Sequence, residues 1–341
     1  MRCTNRTQKF YRKKRRNRKR ELTLRLIGSA TVIVALVVVC IVMLTSKRLV
    51  ASYEAASYHS IYENELFSED LCVTNKEVEF EEFHTYDEFH GALLFNIKNQ
   101  DVIYSERAHE RLYPASTTKI LTAYMALKYG NLDDTVTVSK TAVAVPSDSS
   151  TAKLQAGDLL TLRDLLYGLM LPSGNDCAVA IAEHLSGDVE TFMDAMNQEA
   201  RRLGATNTHF VNPHGYQHKE HYTTAYDLYL IFKECIKNET FLKIISSRTY
   251  TVVISNVNGG TRTQTWTQSN QFINGAREVP QNIRIVGGKT GTTYDAGSCI
   301  LLYGSDAKEN EFITVMMGAT SRRNLYDNMT FLLAAYDDLY E

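Results

Sequence analysis

The chain has 341 residues, 44% of them hydrophobic and 22% charged, which excludes a strongly biased composition and leaves room for one or two globular domains. The formal net charge of −2 conceals an asymmetry between the two ends. Residues 1–25 contain twelve Lys or Arg and one acid, Glu21, whereas residues 49–341 carry 23 bases and 38 acids, a net charge of −15. The two parts therefore face different surroundings.

The first predicted element is an uncharged run of twenty-one residues, Leu26–Ser46. At a rise of about 1.5 Å per residue, such a helix spans about 30 Å, the thickness of a bilayer's hydrocarbon core. The sequence predicts a cytoplasmic basic tail at 1–25 and a transmembrane signal-anchor helix at 26–46. The basic run keeps the N-terminus in the cytoplasm and places the acidic remainder outside. An uncleaved anchor is favoured because a signal peptide has a shorter apolar region.

Two other interpretations of this N-terminal region are weaker. A buried core helix is seldom apolar on every face, as this segment is. A polybasic run can also bind nucleic acid, but its position beside the predicted span already accounts for it. We therefore expect a membrane partner and no nucleic-acid partner.

Residues 47–87 are acidic and aromatic without a clear period, which predicts a juxtamembrane stalk before a globular domain at 88–341. Two apolar runs around the polar turn Asn99–Asp101 predict a hairpin. A helix follows at Ser116 and ends at Gly130, and a capping box starts the next at Thr161. Further helices are predicted over NDCAVAIAEHLSG, VETFMDAMNQEARRLG and TTAYDLYLIFKECI.

The C-terminal part is rich in short β-like runs. Strands are predicted over RTYTVVIS, RIVGG, GSCILLYGS and EFITVMMGAT, and a last helix over RNLYDNMTFLLAAYDDLYE. This order predicts a mixed α/β chain of the α+β class. One antiparallel sheet would be flanked by helices, with a mostly helical subdomain inserted between its strands.

The six cysteines and nine histidines show neither CxxC pairs nor an HExxH motif. Cys177 and Cys299 lie in apolar segments, which predicts small buried core residues. We therefore expect no disulfide framework and no zinc site.

Ser116 precedes Lys119 by three residues, so the two side chains share one face of a helix. A lysine can serve as the base for a serine nucleophile if burial and nearby positive charge lower its pKa. Ser116 also follows Pro114 at the predicted helix start, where its backbone N–H is free to bind an oxyanion. Alone the pattern is weak, because a solvated lysine on a helix face looks the same in sequence.

Ser173 and Asn175 form an SGN triplet between two apolar runs. Such a triplet is usually only a turn. Its functional interpretation makes Ser173 a proton relay and Asn175 an amide that orients both Lys119 and a substrate.

A third motif, KTG, ends a β-rich run at Lys289, Thr290 and Gly291. The ordinary interpretation is a hairpin turn with a solvated lysine. In the functional one, an edge strand pairs with a peptide-like substrate while Lys289 and Thr290 hold its carboxylate. Gly291 allows close approach, and the N–H of Thr292 is a second oxyanion donor.

SxxK, SxN and KTG in this order are the motifs shared by penicillin-binding proteins and class A β-lactamases. Over about residues 88–340 the chain resembles the D-alanyl-D-alanine carboxypeptidases, or low-molecular-weight penicillin-binding proteins. The segments that carry this resemblance beyond the motifs are PSGNDCAVAIAEH, MNQEARRLGATNTHFVNPHGY, HYTTAYDL and KTGTTYDAGSC. The resemblance implies a β-lactamase/transpeptidase-like fold.

The resemblance further implies a serine-type hydrolase that trims the D-Ala-D-Ala end of peptidoglycan stem peptides at the bacterial cell membrane. Ser116 would attack the penultimate carbonyl, Lys119 would accept its proton, and Ser173 would help to protonate the leaving D-alanine. Lys289 and Thr290 would bind the terminal carboxylate. β-Lactams would acylate Ser116 and be released slowly, and the resemblance implies that no metal or organic cofactor is required.

Three further points bear on this expectation. Many members carry a second β-rich domain and a C-terminal anchor. Here the predicted N-terminal span replaces that anchor, so we expect one catalytic domain, 88–341, on an N-terminal stalk. The histidine of NPHG, His214, is expected to shape a loop near the site rather than to belong to a triad. Thr292, after KTG, occupies a position that varies within the family.

Two rival functions stay open at this point. A class A β-lactamase needs a glutamate in an ExxLN-type segment, and the nearest match, Glu239–Lys243, has lysine where asparagine belongs and lies in a predicted helix. A non-catalytic wall-binding or sensor protein would keep the fold and bind β-lactams, but the intact motifs argue against lost chemistry.

Overall fold

The protein is described by a computed structural model that covers three stretches of the chain, residues 71–83, 85 and 88–339. The predicted basic tail at 1–25, the anchor at 26–46 and the stalk up to residue 70 lie outside the described residues, so these stay predictions. Within the described part, no helix combines the length and apolarity that crossing a membrane requires.

The last part of the predicted stalk packs against the globular domain. The backbone N–H of Cys72, which is fully buried, donates to Tyr229 Oη at 2.9 Å. Val78 exchanges two backbone hydrogen bonds with Ser105, at 2.8 and 3.0 Å. The globular domain therefore includes residues before position 88. The sequence did not indicate this, because a segment whose aromatic and apolar residues have no clear period can still pack against a sheet.

Five antiparallel strands form the main sheet, in the spatial order β2-β1-β9-β8-β7. They are β1 Gly91–Asn96, β2 Asp101–Glu106, β7 Arg284–Thr293, β8 Gly297–Ser305 and β9 Glu311–Ala319. The predicted hairpin is β1–β2. Strand β7, which carries the KTG motif, is an edge strand, so one row of its backbone groups has no neighbouring strand in this sheet.

A second antiparallel sheet has the order β3-β4-β5-β6. Its strands are β3 Thr135–Thr137, β4 Asp158–Thr161, β5 Thr249–Asn256 and β6 Thr261–Thr267. The prediction of one sheet is therefore incomplete, because RTYTVVIS pairs here and not in the main sheet. β3 and β4 are too short to give a period, and β6 is mostly polar, so sequence gave little signal for them.

Helices cover both faces of the main sheet and build the inserted subdomain, as predicted. They are α1 Lys119–Tyr129, α2 Lys140–Val143, α3 Leu162–Met170, α4 Asn175–Ser186, α5 Val189–Arg202, α6 Ala225–Cys235, α7 Glu239–Ser246, α8 Gln271–Asn274 and α9 Arg322–Leu339.

The main sheet separates two apolar cores. On one face the buried side of α9, including Met329 and Leu332, packs with Leu94 of β1. On the other face α6 packs Tyr229 edge-on against Phe95 of β1, with ring centroids 4.8 Å apart. The alternation of Leu94 and Phe95 between the two cores follows from the two-residue period of a strand.

Local signals placed several helix ends correctly, but the helix predicted from Ser116 begins only at Lys119, after a 3-10 turn over Ala115–Thr118. The capping box at Thr161 is present, with the Thr161 side chain accepting from Asp164 N and the Asp164 side chain accepting from Thr161 N. Gly130 ends α1, but in an extended conformation with φ −97° and ψ 157°. Packing explains this glycine, because a Cβ there would lie 2.4 Å from Leu162 Cδ2.

Candidate active site

Ser116 lies on a short 3-10 turn, Ala115–Thr118, that leads directly into α1 (the Ser116 turn). Thr117 Oγ1 donates to Pro114 O at 2.7 Å, and Thr118 Oγ1 donates to Ala115 O at 2.9 Å. Ala115 has a φ of +48°, a left-handed conformation that is rare outside glycine. A strained backbone closed by its own side chains thus fixes the direction of the Ser116 hydroxyl.

Lys119 is completely buried and is held by three oxygen atoms. Its Nζ lies 2.8 Å from Ser116 Oγ, 2.7 Å from Asn175 Oδ1 and 2.6 Å from the backbone carbonyl of His214. The oxygens of Asn175 and His214 can only accept hydrogen bonds. In a neutral amine these two partners use both N–H groups, so the remaining lone pair faces the Ser116 hydroxyl.

The surroundings of Lys119 favour its neutral form. Burial, reinforced by the positive charge of Lys289, lowers the pKa of Lys119 well below its ordinary value of 10.5. Within the described part of the chain, its contacts include no ion pair with a carboxylate. The lysine can therefore accept the serine proton.

The SGN triplet lies between α3 and α4. Ser173 is buried and has a φ of +65°, and Asn175 is the first residue of α4. The N–H of Asn175 donates to Ser150 O at 2.9 Å, which fixes the amide beside Lys119. The triplet is therefore a turn, as its ordinary interpretation states, and it also brings both polar side chains into the site.

The carboxylate of Asp176 braces the loop next to this triplet. It accepts from the backbone N–H groups of Ala152 at 2.8 Å, Leu154 at 3.0 Å and Cys177 at 2.9 Å. Sequence reasoning missed Asp176. Its place directly after Asn175, in an otherwise apolar helix start, was the only signal.

Lys289 is buried on β7, and its Nζ donates to Ser173 Oγ at 2.9 Å and to Thr290 O at 2.7 Å. Burial and the positive charge of Arg322 lower the pKa of Lys289 to about 7. The alternative of a solvated lysine is wrong for this residue, since only 1% of it is exposed. The contact with Ser173 joins the second and third motifs.

Gly291 lets β7 lie directly against the Ser116 turn. A Cβ at this position would lie 2.5 Å from Ser116 N and 2.9 Å from Ala115 Cβ, so a larger residue would push the two segments apart. Thr290 is half-buried and Thr292 is exposed farther along the strand. All eight sequence-predicted site residues therefore lie on the Ser116 turn, the start of α1, the SGN turn or the KTG part of β7.

The NPHG segment contributes more than sequence reasoning assigned to it. Its histidine has a buried ring that shapes the loop, accepting from Tyr216 N at 3.1 Å, while the His214 carbonyl binds Lys119. Gly215 has a φ of +87°, and a Cβ there would lie 1.7 Å from Ala115 O. A backbone carbonyl is invisible to motif reasoning because every residue has one.

Several known proteins are similar to this chain. Residues 87–321 match the family model of the peptidase S11, or D-alanyl-D-alanine carboxypeptidase, family. The chain is similar to the D-alanyl-D-alanine carboxypeptidase DacF of Bacillus subtilis, with 32% identity over 256 residues, 74% of this chain and 62% of the relative. It thus spans less than two thirds of that relative.

A second relative is the D-alanyl-D-alanine carboxypeptidase of Streptomyces sp. strain K15, 34% identical over 222 residues, which are 62% of this chain and 74% of that protein. The crystal structure of the Streptomyces K15 DD-transpeptidase superimposes with a TM-score of 0.67 at 30% identity, covering 73% of this chain and 97% of the other. The predicted transpeptidase-like fold is confirmed. The chain belongs to the D-alanyl-D-alanine carboxypeptidase family.

Proposed function

We propose that this protein is a serine-type carboxypeptidase of the bacterial cell membrane that removes the terminal D-alanine from peptidoglycan stem peptides. The observation that carries the proposal is the buried Lys119 amine, 2.8 Å from Ser116 Oγ, whose other two contacts are acceptor-only oxygens. That arrangement suits a neutral lysine that deprotonates a serine.

In the proposed reaction, Ser116 Oγ attacks the penultimate carbonyl carbon while its proton passes to Lys119 Nζ. The N–H groups of Ser116 and Thr292 stabilise the oxyanion of the tetrahedral intermediate, and a single donor of this kind is worth about 3 kcal/mol. The C–N bond then breaks, and the proton reaches the leaving D-alanine amine through Lys119 and Ser173. Water, deprotonated by Lys119, hydrolyses the resulting ester and restores Ser116.

Lys289 and Thr290 are proposed to bind the terminal carboxylate of the substrate. Protonated Lys289 would pair with the carboxylate, and the Thr290 hydroxyl would donate to it. The substrate backbone would align with the free edge of β7, since a peptide can add to an exposed edge as a further strand. This placement sets the scissile bond beside Ser116.

The test is incubation of the purified protein with a pentapeptide ending in D-Ala-D-Ala, followed by measurement of free D-alanine. Ser116→Ala should abolish both D-alanine release and labelling by fluorescent penicillin. A penicilloyl adduct on Ser116, found by mass spectrometry, supports the acyl-enzyme route. Release that persists in the serine variant places the nucleophile elsewhere, and sustained nitrocefin turnover would favour a β-lactamase.

A second candidate function follows from the name of the solved Streptomyces structure, a DD-transpeptidase. The two activities share the acyl-enzyme and differ only in whether water or an amine accepts the acyl group. Adding an amine acceptor such as a D-amino acid to the pentapeptide assay separates them. Predominant shortened peptide indicates carboxypeptidase activity, whereas predominant amide product indicates transpeptidation.

The membrane location is proposed from the basic tail at 1–25 and the apolar run Leu26–Ser46. The full chain should sediment with membranes and resist salt and carbonate extraction. In spheroplasts, added protease should digest the catalytic domain but leave an N-terminal tag protected. A catalytic domain protected from protease in intact spheroplasts would contradict this orientation.

A further inference from the structure

A buried histidine connects the Ser116 turn to the segment that binds Lys119. His221 is 1% exposed, and its Nε2 lies 2.8 Å from Thr118 Oγ1. Its other ring nitrogen, Nδ1, accepts from the backbone N–H of Val211 at 3.1 Å. Thr118 is the last residue of the Ser116 turn and directly precedes Lys119.

The hydrogen bonds around His221 can run in only one direction. A backbone N–H can only donate, so His221 Nδ1 has no proton and the proton of the neutral ring is on Nε2. The Thr118 hydroxyl donates its one hydrogen to Ala115 O, at 2.9 Å. It is therefore the acceptor in its contact with His221 Nε2. The hydrogen bonds therefore run from Val211 N–H to His221 Nδ1, from His221 Nε2–H to Thr118 Oγ1, and from the Thr118 hydroxyl to Ala115 O.

Both ends of this series of hydrogen bonds lie in segments that hold the proposed reacting pair, Ser116 and Lys119. Ala115 and Thr118 bound the turn that carries Ser116. Val211 begins the segment 211–214. In this segment Pro213 O accepts from Thr122 Oγ1 at 2.6 Å, and His214 O accepts from Lys119 Nζ at 2.6 Å. The His221 imidazole therefore connects the Ser116 turn to the segment whose His214 carbonyl binds Lys119.

We propose that His221 is a positioning residue for acylation, which holds the Ser116 turn in register with the Lys119-binding segment by donating from Nε2 to Thr118. The inference rests on the proposed function and deepens it, because it assigns a role outside the three motifs. His221 does not exchange protons with substrate, since both of its nitrogens are committed to protein partners.

The neutral ring is maintained by its environment. Burial, with smaller contributions from His209, His218 and Lys119, lowers the pKa of His221 to about 3. At neutral pH the ring therefore keeps one donor and one acceptor, which is what its two partners require.

The kinetic test separates the two nitrogens. His221→Asn keeps an acceptor near the Nδ1 position but cannot reach Thr118, and we expect acylation by fluorescent penicillin to slow by about 100-fold, the loss typical of a displacement near 1 Å. His221→Gln places an amide donor near the Nε2 position and should acylate within about 10-fold of wild type. The rates refer to the fraction that is labelled at the end point, which corrects for unfolded molecules.

A double-mutant cycle tests the route through Thr118. Thr118→Val removes the hydroxyl, and the double variant with His221→Asn should be no more than about threefold slower than the slower single variant. His109→Asn is the matched control, because His109 also makes a hydrogen bond through its Nε2, to Thr74 O at 2.7 Å, away from the Ser116 turn. It should acylate like wild type.

A third measurement does not depend on the variants folding. Nitrogen-15 NMR of histidine-labelled wild-type protein at pH 7 should show His221 as a neutral ring with its proton on Nε2. A proton on Nδ1, or multiplicative effects in the cycle, would overturn the inference. Failure of wild-type protein to acylate contradicts the proposed function instead, so the two failures are distinguishable.

Discussion

Lys119 and Lys289 form two separate contacts with serine hydroxyls in one site: Lys119 Nζ lies 2.8 Å from Ser116 Oγ, and Lys289 Nζ lies 2.9 Å from Ser173 Oγ. Both lysines are buried, and the charge of Lys289 helps to lower the pKa of Lys119. In the proposed mechanism Lys119 is the neutral base, and Lys289 is the cation that binds the substrate carboxylate. This division leads to the predictions that follow.

Replacing Lys119 by arginine should abolish the base while keeping a long cationic side chain. A guanidinium stays protonated in proteins, so it cannot accept the Ser116 proton. General-base catalysis is worth about 10²–10⁴ in rate, so Lys119→Arg should slow penicillin acylation by at least about 10².

The control is Lys128→Arg, which keeps the pairing of residue 128 with Glu199 outside the site. Its acylation rate should match wild type. A Lys119→Arg protein that is folded and still acylates within tenfold of wild type would rule out Lys119 as the base.

The pH profile of kcat/KM should have two limbs. Lys119 must be neutral, so the rate rises with pH through its lowered pKa. Lys289 must be protonated to pair with the substrate carboxylate, and its pKa is about 7 in the free protein, so the rate falls as the pH rises above that value. The profile reports the coupled pair.

A substrate whose terminal carboxylate is converted to an amide provides the control for this profile. It has no charge for Lys289 to pair with, and the falling limb near pH 7 should disappear. Equal falling limbs for both substrates would show that Lys289 does not act through the carboxylate.

Gly215→Ala should disrupt the site through the backbone. The new Cβ would lie 1.7 Å from Ala115 O at a φ of +87°, so both overpacking and backbone strain oppose it. We expect the free energy of unfolding in urea to fall by about 3 kcal/mol and acylation to slow strongly.

Gly187→Ala separates the two causes, because Gly187 has a φ of +85° with nothing within 4 Å of the added Cβ. It carries only the backbone cost of a positive φ, about 1–2 kcal/mol, and should acylate normally. Equal losses of stability in the two variants would contradict the packing argument.

Asp176→Ala should loosen the loop beside Asn175. It leaves the buried N–H groups of Ala152 and Leu154 without their acceptor, at a cost of about 1–3 kcal/mol each. The single tryptophan reports on the same loop, because Trp266 Nε1 donates to Ala152 O at 3.1 Å. Its emission should shift to longer wavelength, and acylation should slow.

Asp188→Ala is the matched control, since Asp188 also accepts a backbone N–H, that of Thr191, but caps a helix at the surface. Its tryptophan emission should be unchanged. An unshifted emission in folded Asp176→Ala protein would show that the loop does not depend on this carboxylate.

Local features of the fold were readable from sequence because they involve neighbours along the chain. The capping box at Thr161, the β1–β2 hairpin and the end of α1 at Gly130 each follow from residues within a few positions of each other. The second sheet was not readable, because β4 has only four residues and pairs with β5 almost a hundred residues later along the chain.

By itself the sequence determined which side chains the candidate site would contain and their order, because Ser116 and Lys119 are three residues apart and the other motifs are contiguous. Only the tertiary structure decided that Ser173 meets Lys289, 116 residues away, and that the carbonyl of His214 binds Lys119. The physical reason is that such contacts depend on how whole elements pack and on backbone atoms, which residue type does not encode.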